Sequence, residues 1–416
     1  MRTILYITYD GLTDALGQSQ ILAYLKRLNN LENEIVILSF EKEEHFKKGA
    51  DQIRKIIEQH KLVWIPVTYT RKPPILSTLR DITKGFRTCK QLHEKYNFQI
   101  VHCRGYIAAV LGRRLKKRYG LKFIFDMRGW WADEKLESGY WDKRIYQPVY
   151  RYIKKLERQF FIDCDYAVSL TYKGKEAIVN QNLATVNKIG VIPTCVDFEI
   201  FKSRDNLFRE EMRRKLGIVA DEKVFVYSGS LGGNYDPYTL IKVFQSFKQV
   251  YPKSYLLILS KDSFNENLKQ QFLLQGIGRL AIYNSPFTEV TNYLLAGDVG
   301  FIYYKMSFST IGRSPTKLGE YWASGLPVIA FKGIGDLDYI FDRYPESGVL
   351  LPENIDTWTT EMQALKFIDP SLLRQYASDY FHINKGVQFY QGIYERLIPT
   401  IKEVYESVNN SAKSSF

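Results

Sequence analysis

Cysteine and histidine are scarce in this 416-residue chain, and their scarcity closes several routes at once. Cys89, Cys103, Cys164 and Cys195 are too far apart for a CxxC redox or zinc motif and too few for a disulfide framework, so reduced, buried thiols are expected. The five histidines, His45, His60, His93, His102 and His382, have no HExxH or other ligand spacing, and no protein-held metal is indicated. No stretch without charged residues reaches the roughly 18 that a spanning helix needs, and the amino terminus enters a strand with no signal-peptide pattern. A cytosolic protein is the expectation. GxGxxG is absent as well, so a Rossmann dinucleotide site is poorly supported.

Acidic residues are short in one half only. The net charge is +13, but residues 1–195 hold 34 Lys and Arg against 20 Asp and Glu, while the remainder is close to neutral. A basic half beside a neutral one suggests nucleic acid or the anionic face of a membrane as partner. Hydrophobic residues at 45% and aromatics at 15% exclude disorder and suffice for two cores.

The first half alternates strand and helix: strands at 3–9, 34–40, 62–69, 99–103 and 122–126, with helices near 20–28, 46–59, 78–95 and 106–118 between them. Strands at 166–170 and 188–193 follow. This alternation predicts α/β architecture with a doubly wound parallel sheet, whose ligands gather beyond the carboxyl ends of the strands. Three segments lie at such ends. The loop from Asp10 to Gln20 carries Gly17 just before a helix, where a glycine serves a ligand's approach or plain turn chemistry. Arg104-Gly105-Tyr106 follows another strand. Asp126, Arg128, Asp133 and Glu134 surround Trp130 and Trp131, a set that suits either sugar rings or an aromatic plug with salt bridges.

The helix near 106–118 ends in Arg113, Arg114, Lys116, Lys117 and Arg118, and a later one, opened by Pro148, mixes Tyr150 and Tyr152 with Arg151, Lys154, Lys155 and Arg158. Both read as a membrane-surface contact, a nucleic-acid contact or a solvated face.

A second alternating series begins at strand 224–228. Its loop carries Gly229, Ser230, Gly232, Gly233, Asn234 and Tyr235, a phosphate cradle aided by the next helix terminus, or a plain Gly-rich turn. Lys261 follows strand 255–259, and a turn is read around Asn284 to Phe287.

The remaining stretch organises the others. Arg313, Ser314, Pro315, Thr316 and Lys317 form a loop before a short helix that Gly325 and Pro327 stop ahead of the apolar run Val328 to Phe331. A helix so placed aims its free N–H groups and dipole at that loop, where an anion gains backbone donors, a hydroxyl and two cations. Glu320, one turn beyond Lys317, accepts hydrogen bonds from vicinal hydroxyls or simply pairs with Lys317.

Pro315-Thr316-Lys317, then Glu320-Tyr321, then Gly325-Leu326-Pro327-Val328-Ile329, resembles the donor-site signature of GT-B glycosyltransferases, in particular the retaining family 4 group of bacterial surface-polysaccharide assembly. The Asp10 to Gln20 loop and the Val191 to Asp197 run are similar to that group as well. The resemblance implies two Rossmann-like domains facing a central cleft: 1–196 on the acceptor side, 197–385 binding a nucleotide-diphosphate sugar, and a last helix, about 386–416, returning to the first domain. By the same resemblance Thr316, Lys317 and Arg313 hold the diphosphate and Glu320 the ribose. Gly17, Gly229, Ser230, Gly232, Tyr235 and Lys261 complete the phosphate contacts, Asn284 and Phe287 frame the base, and Asp126 and Arg128 stand where many relatives have a histidine near the reacting carbon. The donor is a substrate and no cofactor is implied; the acceptor is a glycan or lipid-linked, which favours a peripheral membrane contact over nucleic acid. Two departures are visible: Gly312 occupies the place of a second glutamate, and the Gly229 loop lacks the Arg and Lys of many relatives.

Two other readings stay open. A nucleotide-sugar epimerase or hydrolase of the same fold would turn over without a second substrate. A non-catalytic basic protein would keep ligand affinity after loss of Lys317 and Glu320.

Overall fold

The computed structural model describes residues 1–231, 236–260, 266–284 and 287–399, with backbone alone at 266–267 and 287–288. Gly232, Gly233, Asn234, Tyr235, Lys261, the side chain of Phe287 and the tail from 400 lie outside the described residues. The chain divides into two units, residues 1–136, 141–193 and 383–416 in the first and residues 137–140 and 194–382 in the second. The sequence reading had put the divisions after 196 and 385.

In the first unit seven strands form one parallel sheet: β1 (Arg2–Thr8), β2 (Asn33–Glu41), β3 (Val63–Thr68), β4 (Ile100–Arg104), β5 (Lys122–Asp126), β6 (Tyr166–Ser169) and β7 (Ile189–Val191). Their order is β3-β2-β1-β4-β5-β6-β7. Apolar runs such as Ile4, Leu5 and Ile7 on β1, fully buried, are what a parallel sheet covered on both faces requires. Leu5 pairs with Val36 on one side and Val101 on the other, so strand order reverses between β1 and β4. Such a switch point leaves a crevice at the carboxyl ends of the two strands, where the Asp10 loop and Arg104 lie. Helix Ile383–Leu397 belongs to this unit, with Tyr390 and Tyr394 buried on it and Tyr390 edge-on to Tyr24 at 5.7 Å.

The second unit repeats the plan with β8 (Lys223–Ser228), β9 (Ser254–Leu259), β10 (Leu280–Tyr283), β11 (Val299–Ile302), β12 (Val328–Phe331) and β13 (Gly348–Leu351), ordered β10-β9-β8-β11-β12-β13. Its switch point lies between β8 and β11, with the Gly229 loop and the 303–315 segment at their carboxyl ends. Edge strand β10 was not read from the sequence, which placed only a turn there. Four residues, all only partly buried, leave little period for a pattern to show.

Candidate functional site

The 313–331 stretch is loop, helix, turn and strand as its local signals demand, with helix Thr316–Ala323 leading through Ser324 and Gly325 into β12. Close packing fixes that helix. A side chain at Gly319 would sit 2.5 Å from Val196 Cγ2, and one at Gly300 on β11 would strike the Tyr321 ring at 2.4 Å. The fully buried Tyr321 hydroxyl accepts from Ser228 N at 2.9 Å, tying the helix to the last residue before the Gly229 loop, and burial raises its pKa. On the loop side, Thr194 N donates to Ser314 Oγ at 3.1 Å and Thr194 Oγ1 to Ser314 O at 2.8 Å.

The residue before the helix is Pro315, whose side chain makes no capping hydrogen bond. The first amides of the helix therefore stay available to an anion, beside the half-buried Thr316 and Lys317. Lys317 Nζ donates to Glu320 Oε2 at 2.6 Å; the lysine side chain is 29% exposed and the glutamate 3%. Arg313 lies over the Tyr304 ring at 4.8 Å. The structure thus gathers Arg313, Thr316, Lys317 and Glu320 on one loop and helix start.

The other phosphate candidates fare unequally. Gly229 N donates to Leu259 O, and Tyr227 Oη donates to the carbonyl of the exposed Ser230 at 2.6 Å. The helix terminus after that loop is not free, because Asp236 caps helix Pro237–Val250 through Tyr238 N and Thr239 N. An anion there would meet a carboxylate, which corrects the expectation that this terminus assists. Asn284 is exposed at the end of β10. Gly17 is buried, and a Cβ on it would lie 2.0 Å from the Gly11 carbonyl, so its missing side chain is accounted for by the loop's own backbone. That loop is built around Glu41, which the sequence reading missed: its carboxylate accepts from Leu12 N at 2.7 Å, Thr13 Oγ1 at 2.6 Å and Ser39 Oγ at 2.5 Å.

At the carboxyl ends of β4 and β5, Asp126 is fully buried and receives the Tyr390 hydroxyl at 2.9 Å. His102 Nε2, Arg104 Nη1 and Arg128 Nη1 lie 3.8, 3.9 and 3.8 Å from its oxygens, and His102 Nδ1 is 2.8 Å from Tyr394 Oη. Burial would raise the Asp126 pKa, but Arg128, His102 and Arg104 hold it below the ordinary value, while burial lowers that of His102. Among the described residues, Asp126 Oδ1, Arg104 Nε, Arg128 Nε and His102 Nε2 find no hydrogen-bond partner. Arg128 has φ of +57°, a left-handed backbone that a non-glycine residue adopts at a cost. Left-handed backbone at Arg128 thus coincides with polar atoms that have no hydrogen-bond partner among the described residues.

Residues 18–200 match the sequence model of Glycosyltransferase Family 4. A D-inositol 3-phosphate glycosyltransferase of Thermomonospora curvata is 22% identical over 357 residues, covering 82% of this chain and 80% of that protein. Among solved structures, HepE of Anabaena in complex with UDP and glucose superposes with a TM-score of 0.70 at 14% identity, over 95% of this chain and all of that one. Sucrose-phosphate synthase of Thermosynechococcus elongatus gives 0.67 at 15%, over 95% and 99%. The chain is a glycosyltransferase of GT-B fold, similar to family 4 over residues 18–200.

In this glycosyltransferase the structure bears on two alternatives left open for the first unit. Trp130 is buried, with Lys154 Nζ 4.9 Å from its ring centre, and Trp131 is half-buried against Tyr106 and Trp141, so the pair forms the aromatic plug and not an exposed sugar platform. Asp133 is likewise spent, accepting from Tyr150 and Lys154 at 2.9 Å each. The basic run is not a free patch: Arg113 and Lys117 pair with Asp163, Lys116 with Asp165, Arg114 lies over Phe86 and Arg118 over Tyr119. Among the described residues no group of three or more His, Cys, Asp or Glu side chains is placed to hold a metal ion.

Proposed function

We propose that this glycosyltransferase moves a sugar from a nucleotide-diphosphate sugar to a glycan or lipid-linked acceptor, with retention, in bacterial surface polysaccharide or glycoconjugate synthesis. The observation that carries the donor is the uncapped start of helix Thr316–Ala323, where Thr316, Lys317 and Arg313 stand beside free amides. These groups neutralise charge as it develops on the departing diphosphate, which is what speeds such a transfer. Glu320 takes the ribose hydroxyls, giving up part of its contact with Lys317 as the phosphate draws the lysine away. A UDP-sugar is the first donor to test, in keeping with the UDP and glucose held by HepE.

Within the first unit, Asp126, Arg128 and Arg104 have unmet donors and an unmet acceptor that suit the hydroxyls and an anionic group of an acceptor substrate. The inositol phosphate in the name of the curated relative supports an acceptor of that chemistry.

A thermal-shift series with UDP-, GDP- and dTDP-sugars tests the donor site. At least one is expected to raise the melting temperature, since a ligand at a hundred times its Kd adds about 2.7 kcal/mol, and Lys317→Ala should weaken the rise. No response to any of them would overturn the assignment. Product analysis with and without acceptor separates transfer from epimerisation, which needs the nucleotide sugar alone.

A further inference from the structure

We infer that helix Leu76–Tyr96 of the first unit, with the turn before it, is a docking surface for membranes bearing anionic headgroups. From Arg71 to Leu76 every residue is exposed, and Leu79, Arg80, Thr83, Lys84 and Arg87 continue the exposure along the helix. Positions 76, 79, 80, 83, 84 and 87 recur at helical spacing, so they form one stripe along one side. Its opening is apolar: Ile75 is 43% exposed, Leu76 55% and Leu79 53%. Its continuation is cationic. Arg71, Lys72, Arg80 and Arg87 have no acidic partner among the described residues, and Lys84 reaches only the Thr68 carbonyl and, at 3.9 Å, the buried Asp81.

Asp81, on the same helix, is turned inward, where it accepts from Tyr9 Oη at 2.9 Å and from Thr70 N and Oγ1 at 3.0 and 2.7 Å. The exposed side therefore presents positive charge unopposed, unlike the Arg113 to Arg118 run. Ile75 adds a further sign: it holds φ of +68°, which a β-branched residue adopts only under strain, and yet its side chain is left outside the core. A sequence that accepts strain to present isoleucine and two leucines beside unpaired arginines fits an interfacial surface, with apolar groups entering the headgroup region and cations meeting anionic lipid. No helix among the described residues is long and apolar enough to cross a membrane, so the contact is peripheral.

Co-sedimentation of the full chain with vesicles tests this independently of the donor site. Binding is expected to vesicles of phosphatidylcholine and phosphatidylglycerol in equal parts, and not to phosphatidylcholine alone. Arg80→Gln with Arg87→Gln should weaken partitioning about thirtyfold, at ~1 kcal/mol for each cation at such a surface. Leu76→Gln with Leu79→Gln should weaken it about tenfold through lost apolar burial. Lys117→Gln with Arg118→Gln should bind as the parent does. All three pairs are at the surface and should keep the parent's melting temperature and its shift with nucleotide sugar, which separates lost docking from lost folding. The proposal fails if the parent ignores the anionic vesicles, or if the 76/79 and 80/87 pairs bind them unchanged. It also fails if the leucine pair turns a dimer into a monomer in light scattering, since the face would then belong to a second copy.

Discussion

Lys317 and Glu320 are expected to fail differently when removed. Lys317→Ala leaves a nearly fully buried carboxylate without its cation, a loss of about 1–3 kcal/mol in chemical denaturation, whereas Glu320→Ala leaves a lysine that can turn to water. Donor affinity should fall in both, roughly ten- to a hundredfold by titration, because each removes a hydrogen bond to or from a charged group. At His102 the sign is fixed by burial. Its folded pKa lies below the ordinary 6.5, so between the two values the unfolded chain binds more protons and stability rises with pH, levelling off above about 6.5. Urea midpoints measured from acid to neutral pH should climb in the parent and climb less in His102→Asn. Residue roles were only partly legible. Lys317 and Glu320 stand one helical turn apart, within reach of a local reading, while Glu41 acts on Leu12 and Thr13 across 28 or 29 residues and Thr194 on Ser314 across 120. No local period carries such partnerships. Trp130 illustrates a second limit, since a tryptophan among charges looks alike in sequence whether it is a platform or a plug.

Elements were the most legible scale. Pro315, Gly325 and Pro327 punctuate the helix of the donor site, and the two β/α series announce parallel sheets. The Asp236 cap had a sequence signal as well, an aspartate directly before Pro237 at a helix start, and it limits what that terminus can bind. Two substitutions test how the signature helix is held. Gly319→Ala should cost about 1–3 kcal/mol, because its new methyl group meets Val196 at 2.5 Å. Tyr321→Phe should cost a similar ~1–3 kcal/mol by leaving the buried Ser228 amide unmet, and should also weaken donor binding by freeing the start of the Gly229 loop. Both are read by denaturant unfolding, and a donor titration of the tyrosine variant separates stability from binding.

For the molecule as a whole, the uneven charge of the sequence is explained by neither unit's fold. The excess lies in residues 1–195, where part of it is consumed in ion pairs to Asp163 and Asp165 and part stands free beside Ile75, Leu76 and Leu79. The +13 total could not reveal that partition, because whether a cation is paired depends on which helices pack together. Hydrogen exchange should place the donor: addition of the nucleotide sugar that stabilises the protein should slow exchange around 226–231 and 313–331 and leave β2 and β3 unchanged.

The return of the final helix bears on how the protein is made. Asp126 and His102 receive their tyrosyl partners from residues 390 and 394, so a ribosome must pass the whole 194–382 segment before the first unit can finish its interior. The segment 194–382, though synthesised later, contains its own strands and can mature first, inverting the usual order of vectorial folding. A premature stop just after His382 would spare the later-made unit and cripple the earlier one.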